Sequence, residues 1–164
     1  HKGLGFTYIG TLSKSKSIIL KNLSETLKQE NMDCSIVDNI EDYIWLKAII
    51  NSAINPIAAL AEVKNGHLKN PELNEELMNL CNESSTIAKS NGIKLPLDPW
   101  EEINKIIDKT SDNKCSMLQD LENNRETEID AINGELVRIA RKLSVKCNYN
   151  KQVVSEISKI SINT

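Results

Sequence analysis

Lys47, Asn51 and Asn55 stand four residues apart in the segment Trp45–Pro56, WLKAIINSAINP. Four-residue steps put all three on one stripe of a helix. The rest of that segment is almost wholly apolar, so the stripe is not an ordinary solvated face. A buried ammonium beside two carboxamides can grip a small oxygen-rich molecule and pass it a proton. Two plainer readings stay open at this point. A lysine can lay its stem along apolar surface while its amine reaches water. Asn55 can simply be the residue ahead of Pro56, a position driven out of the helical region. Against both, asparagine is a poor helix former and is costly to bury without a partner.

A second polar cluster begins at Asn113-Lys114-Cys115-Ser116-Met117-Leu118-Gln119-Asp120 and continues through Arg125-Glu126-Thr127-Glu128-Ile129-Asp130-Ala131-Ile132-Asn133-Gly134. Taken alone, Asp120, Glu122, Glu126 and Asp130 read as an acidic, solvated face, and Ser116 as a helix cap. Spacing does not single out Glu128 from its neighbours.

The elements that must position these residues are mostly helical. Phe6 to Ile9 reads as a short strand ending at Gly10, followed by a helix with Ile19, Leu20, Leu23 and Leu27 on its apolar stripe. Met32, Cys34 and Ile36 alternate with polar residues, which predicts a second strand. That strand–helix–strand opening is too small to form a sheet alone and suits the last unit of a larger one. From about Ile40 onward the pattern is helical. Pro56 is expected to kink or break the helix that carries the stripe. Asn65-Gly66 marks a turn. The next helix takes Asn70 as cap, Pro71 at its first position, Leu73, Leu77, Leu80 and Cys81 inward, and Gly92 as its stop. Asp98-Pro99-Trp100-Glu101 resembles a capping box and opens a helix with Trp100, Ile103, Ile106 and Ile107 on one side. A short helix holds Met117 and Leu118. Another begins near Thr127 and buries Ile129, Ile132, Leu136, Ile139 and Leu143. Its internal Gly134 predicts a close helix contact or ligand approach. The last uses Val153, Val154, Ile157 and Ile160.

Composition agrees. With one Phe, two Trp and three Tyr in 164 residues, the core must be aliphatic, which favours helices over a β-sandwich. A net charge of −3 leaves no footprint for nucleic acid. No apolar run is read as reaching the roughly 20 residues of a membrane span. The four scattered cysteines and two histidines form no CxxC pattern, so neither a zinc site nor a disulfide framework is expected. Packing thiols in a reducing cytoplasm are expected instead. His1-Lys2-Gly3, without a Met, reads as the start of an excised piece.

The two polar segments together resemble the C-terminal domain of ketopantoate reductase. The pattern W-x-K-x3-N-x3-NP is met by Trp45, Lys47, Asn51, Asn55 and Pro56, and Asn65-Gly66 follows where the family has it. Its second signature, roughly S-M-x-Q-D and then R-x-T-E-I-D-x-x-N-G, is met by residues 116–120 and 125–134. Thr7-Tyr8-Ile9-Gly10 resembles the end of the family's nucleotide-binding domain. The resemblance implies a mainly α fold: a helical bundle of the ketopantoate reductase / 6-phosphogluconate dehydrogenase C-terminal-like type over 39–164. A β-α-β remnant of a Rossmann-like NADP-binding domain would precede it over 1–38.

The activity it implies is NADPH-dependent reduction of ketopantoate in pantothenate synthesis. Lys47 matches the catalytic lysine, and Asn51, Asn55, Asn65 and Ser116 match substrate-binding positions, which Asn113, three residues before Ser116, is expected to join. Glu128 matches the cofactor-binding glutamate. The G-x-G-x-x-G fingerprint is absent, since Gly3-Leu4-Gly5 has no third glycine in place. The chain is therefore expected to lack the phosphate-binding loop, to be inactive alone, and to partner its own N-terminal Rossmann domain. Open strand edges within residues 5–38 predict self-association, with a homodimer as one outcome. A reductase of another 2-keto acid and a non-enzymatic helical interaction module remain as alternatives.

Overall fold

The computed structural model describes residues 6–12 and 18–162; Gly3-Leu4-Gly5 lies outside them. The chain divides into two compact units, His1–Ile44 and Trp45–Thr164. In the first, strands β1 (Thr7–Ile9) and β2 (Cys34–Ile36) are connected by helix α1 (Ile18–Gln29). The strands pair in parallel, Thr7 opposite Cys34 and Ile9 opposite Ile36, an arrangement that needs a crossover such as α1. The apolar stripe on α1 is partly covered, with Leu20 and Leu27 half-buried. Ile19 is 72% exposed and Leu23 44%, and the residue α1 buries is Ser24, which meets the Cys34 thiol at 3.3 Å. Two strands of three residues each offer too little surface to cover the stripe of a helix about three turns long.

Helix α2 (Ile40–Leu60) spans the division and forms the centre of the second unit. Its Ile49, Ala53 and Ile57 pack with Leu68 and with Leu77 and Leu80 of α3 (Pro71–Ser90). Ile103 and Ile107 of α4 (Pro99–Lys109), Met117 and Leu118 of α5 (Ser116–Glu122), and Val153 and Ile157 of α6 (Tyr149–Ile162) complete the cluster. Ahead of α6 lies a five-residue π-turn, Asp130–Gly134, running into a nine-residue helix, Glu135–Leu143. By length and composition α2 would suffice to cross a membrane, which the sequence reading missed. Yet Ile49, Ala53 and Ala58 have no exposed surface, so α2 is accounted for as a core helix.

Local signals explain most of these boundaries. Asp98 accepts the backbone N–H of Glu101 at 2.9 Å, with Pro99 in the first turn where its missing N–H costs nothing. Gly92, at φ +85°, follows α3 in a conformation that suits glycine. Asn70 occupies the cap position of α3 as expected, but its side chain makes no capping bond. Leu143 and Ile160, expected inward, are 38% and 41% exposed.

All four cysteines carry free, buried thiols. Burial pushes Cys81 from 9.0 up to about 11. Burial, reinforced by the charge of Glu83, pushes Cys147 up to about 12. The folded chain keeps these thiols neutral where the unfolded chain ionises them. Their contribution to stability is therefore intact below about pH 9 and is lost as pH rises through 11 to 12. Denaturation midpoints should fall between about pH 8 and about pH 10.5, and fall less when Cys81 and Cys147 are both alanine.

Candidate active site on the central helix

The stripe on α2 runs from solvent into the core. Lys47 is exposed, Asn51 is half-buried, and Asn55 is 6% exposed. The expectation of a buried lysine is thus corrected. At 3.6 residues per turn, each four-residue step advances the stripe by about 40° around the helix. Asn55 therefore faces the core while Lys47, two steps earlier, does not. The Lys47 amine has no hydrogen-bond or ion-pair partner among the described residues, which leaves its three donors open.

Of the kink or break expected at Pro56, the break does not occur: α2 continues to Leu60. Proline lacks the N–H that would bond the carbonyl four residues back, at Ser52. That carbonyl accepts from Asn133 Nδ2 at 2.9 Å instead. A remote side chain supplies the bond the helix lacks.

Asn65 opens the 3-10 turn Asn65–Lys69 and is 6% exposed. Its backbone N–H donates to Asn113 O at 3.0 Å, Gly66 N–H to Ser111 O at 3.0 Å, and Asn65 Nδ2 to Thr110 Oγ1 at 2.9 Å. A Cβ on Gly66 would stand 3.0 Å from the Ser111 carbonyl oxygen, so a larger residue there would push segments 65–66 and 111–113 slightly apart. Asn65 Oδ1 is buried without a partner among the described residues. The Cys115 thiol donates to Asn55 O at 3.5 Å and accepts from Leu118 N–H at 3.4 Å. Cys115 therefore caps α5, not Ser116, which stands exposed at the first helical position.

Asn55, Asn65, Asn113 and the start of α5 are thus tied together through residues 110–116. Glu128 is exposed just ahead of the π-turn, and its side chain has no partner among the described residues. The π-turn meets α2 at Ser52, one turn before Asn55. No hydrogen bond or ion pair joins Lys47 to Ser116 or Glu128. Three acidic residues nearby are paired with cations: Asp120 with Arg125, Glu122 with Lys114, and Asp130 with Arg138. A Cβ on Gly134 would first meet the Asp130 carboxylate of its own turn and then the Arg138 guanidinium. Among the described residues no three His, Cys, Asp or Glu side chains converge as a metal site would require. Sequence reasoning missed Asn133, Ser52 and Thr110. Asn133 was visible as a polar residue in an apolar repeat, but its partner lies 81 positions away.

Comparison with known proteins gives a consistent answer. Residues 39–161 match the family described as ketopantoate reductase PanE/ApbA C terminal. The chain is 36% identical over 150 residues to 2-dehydropantoate 2-reductase of Pyrococcus horikoshii, covering 91% of this chain and 50% of that protein. To the Archaeoglobus fulgidus enzyme of that name it is 34% identical over 156 residues, covering 94% and 52%. It spans about half the length of the curated relatives it matches. Among solved structures, a PanE/ApbA family ketopantoate reductase from Ralstonia eutropha superposes with TM-score 0.86 at 25% identity, covering 99% of this chain and 53% of that one. A D-mandelate dehydrogenase, solved with NADH and anilino(oxo)acetate, gives 0.87 at 26%, covering 98% and 68%. With the helical bundle, both composite motifs and these relatives in agreement, the chain belongs to the ketopantoate reductase family and carries its C-terminal domain.

Proposed function

We propose that this chain is the substrate-binding and proton-donating part of an NADPH-dependent 2-dehydropantoate 2-reductase, which converts ketopantoate to pantoate in cytoplasmic pantothenate synthesis. The observation that carries the reading is the graded stripe of α2: an unpartnered ammonium at Lys47 leading through Asn51 to the buried carboxamide of Asn55.

The residues present fit a nicotinamide cofactor on one side of such a site. Glu128 offers an exposed carboxylate without a protein partner, suited to accepting from ribose hydroxyls. The cofactor supplies hydride to the ketone carbon; the rest falls to side chains of this chain. As the ketone oxygen becomes anionic, the Lys47 ammonium stabilises it and then gives up a proton to it. The carboxamides of Asn51, Asn55 and Asn65 can donate to carboxylate oxygens and accept from a terminal hydroxyl, and Asn113 and Ser116 add further polar groups. Asn65 Oδ1, buried and unmatched, is an acceptor waiting for such a donor. Cofactor phosphates fall to the N-terminal dinucleotide-binding domain of the intact enzyme. The first unit's exposed Phe6, Ile18, Ile19 and Ile36 support its packing against further protein, that domain or a second copy.

A second reading, reduction of a different 2-keto acid, is favoured by the likeness to a D-mandelate dehydrogenase. The two are separated by the intact protein's oxidation of NADPH with ketopantoate against 2-keto acids lacking the terminal hydroxyl. The proposal expects kcat/KM to be about 100-fold or more higher with ketopantoate. Equal values would favour the second reading, and no oxidation with any of them would overturn both.

A further inference from the structure

Asn133 stands in a closed circuit of buried polar groups. One of its amide hydrogens reaches Ser52 O at 2.9 Å and the other Asn150 Oδ1 at 2.9 Å. Asn150 Nδ2 continues to Ser84 Oγ at 3.2 Å, and the Ser84 and Ser52 hydroxyls lie 2.9 Å apart. Ser52 Oγ gives its proton to Ile49 O at 2.8 Å, so Ser84 must donate to Ser52. The direction of every bond is thereby set. Asn133, Asn150, Ser52 and Ser84 have no exposed surface, so water does not substitute for these contacts.

The circuit closes on the one carbonyl of α2 that Pro56 leaves without a helical partner, within one turn of both Asn51 and Asn55. Asn133 meets it from the π-turn, where an extra residue in the helical repeat redirects a side chain. The arrangement has a cost, because Asn133 Oδ1 is buried with no partner among the described residues. An apolar side chain of similar size would avoid that cost but leave Ser52 O unbonded.

We propose that Asn133 is a positioning residue: it repairs the α2 hydrogen bond broken at Pro56 and so fixes the orientation in which α2 presents Asn51 and Asn55 to substrate. The role in substrate binding rests on the reductase reading; the repair of α2 does not.

The test uses Asn133→Ala in the intact protein, alone and with Pro56→Ala, which restores the missing N–H to α2. Asn133→Ala should raise KM for ketopantoate about tenfold with kcat within about threefold, and adding Pro56→Ala should return KM to within about threefold of wild type. A purely structural role would lower stability and leave KM in place. An unchanged KM in Asn133→Ala, or a raised KM that Pro56→Ala does not restore, overturns the proposal. If Asn133→Ala does not fold, a folded double variant supports it and an unfolded one overturns it. Should the wild-type protein reduce no 2-keto acid, the reductase reading fails separately. The side-chain amide resonances of Asn51 and Asn55 then decide the geometric claim. They should shift in Asn133→Ala and return in the double variant; resonances that stay in place would overturn it.

Discussion

Lys47→Ala in the intact protein should lower kcat for keto-acid reduction by about 10³-fold or more while leaving the fold intact. The side chain is exposed and has no partner among the described residues, so its loss should change stability by no more than about 0.5 kcal/mol. Turnover and thermal unfolding measured on one preparation separate the two effects. Turnover close to wild type would favour the helical interaction module, in which the stripe is merely structural. Lys47→Arg is not a conservative rescue, because guanidinium stays protonated and cannot deliver a proton.

Two residues further along α2, Ile49→Ala should do the opposite. Ile49 has no exposed surface and sits in the cluster that joins α2 to α3, α4, α5 and α6. Truncation loses its transfer energy and leaves a cavity that helices from several directions cannot all close. The expected cost is about 3 kcal/mol, or roughly 10 °C in melting temperature. Denaturant titration should show it, with kcat/KM little changed at temperatures where the variant remains folded. A loss below about 1 kcal/mol would mean the neighbouring helices collapse onto the vacancy. Together the two substitutions test whether chemistry and scaffold lie on different faces of one helix.

Much of this arrangement was legible in the chain. The helices starting at Pro71 and Pro99 announced themselves through proline in the first turn and an aliphatic repeat, and the Asp98 cap is where its spacing placed it. The candidate site was legible as a set of polar residues within apolar runs. Its depth was not, because a four-residue repeat drifts around a 3.6-residue helix, and this drift brings Lys47 to the surface and Asn55 inside. Nor was the continuity of α2 through Pro56. The repairing donor sits in a π-turn, and one extra residue in a helical repeat leaves no mark on composition. The partial exposure of the α1 stripe has a different reason. Its periodicity was real, but a helix is buried only where another surface exists to receive it.

Glu83 of α3 holds the first turn of α6: its carboxylate accepts from the backbone N–H groups of Asn148 at 2.6 Å, Tyr149 at 3.2 Å and Asn150 at 2.8 Å. A fourteen-residue helix is marginal by itself in water. The anion that offsets its dipole and satisfies its opening donors comes from a residue made more than sixty positions earlier. Synthesis from the N-terminus therefore delivers the clamp before the helix it fastens, and α6 can form as a docking event on an existing surface. A peptide limited to that segment, lacking the clamp, would spend most of its time uncoiled.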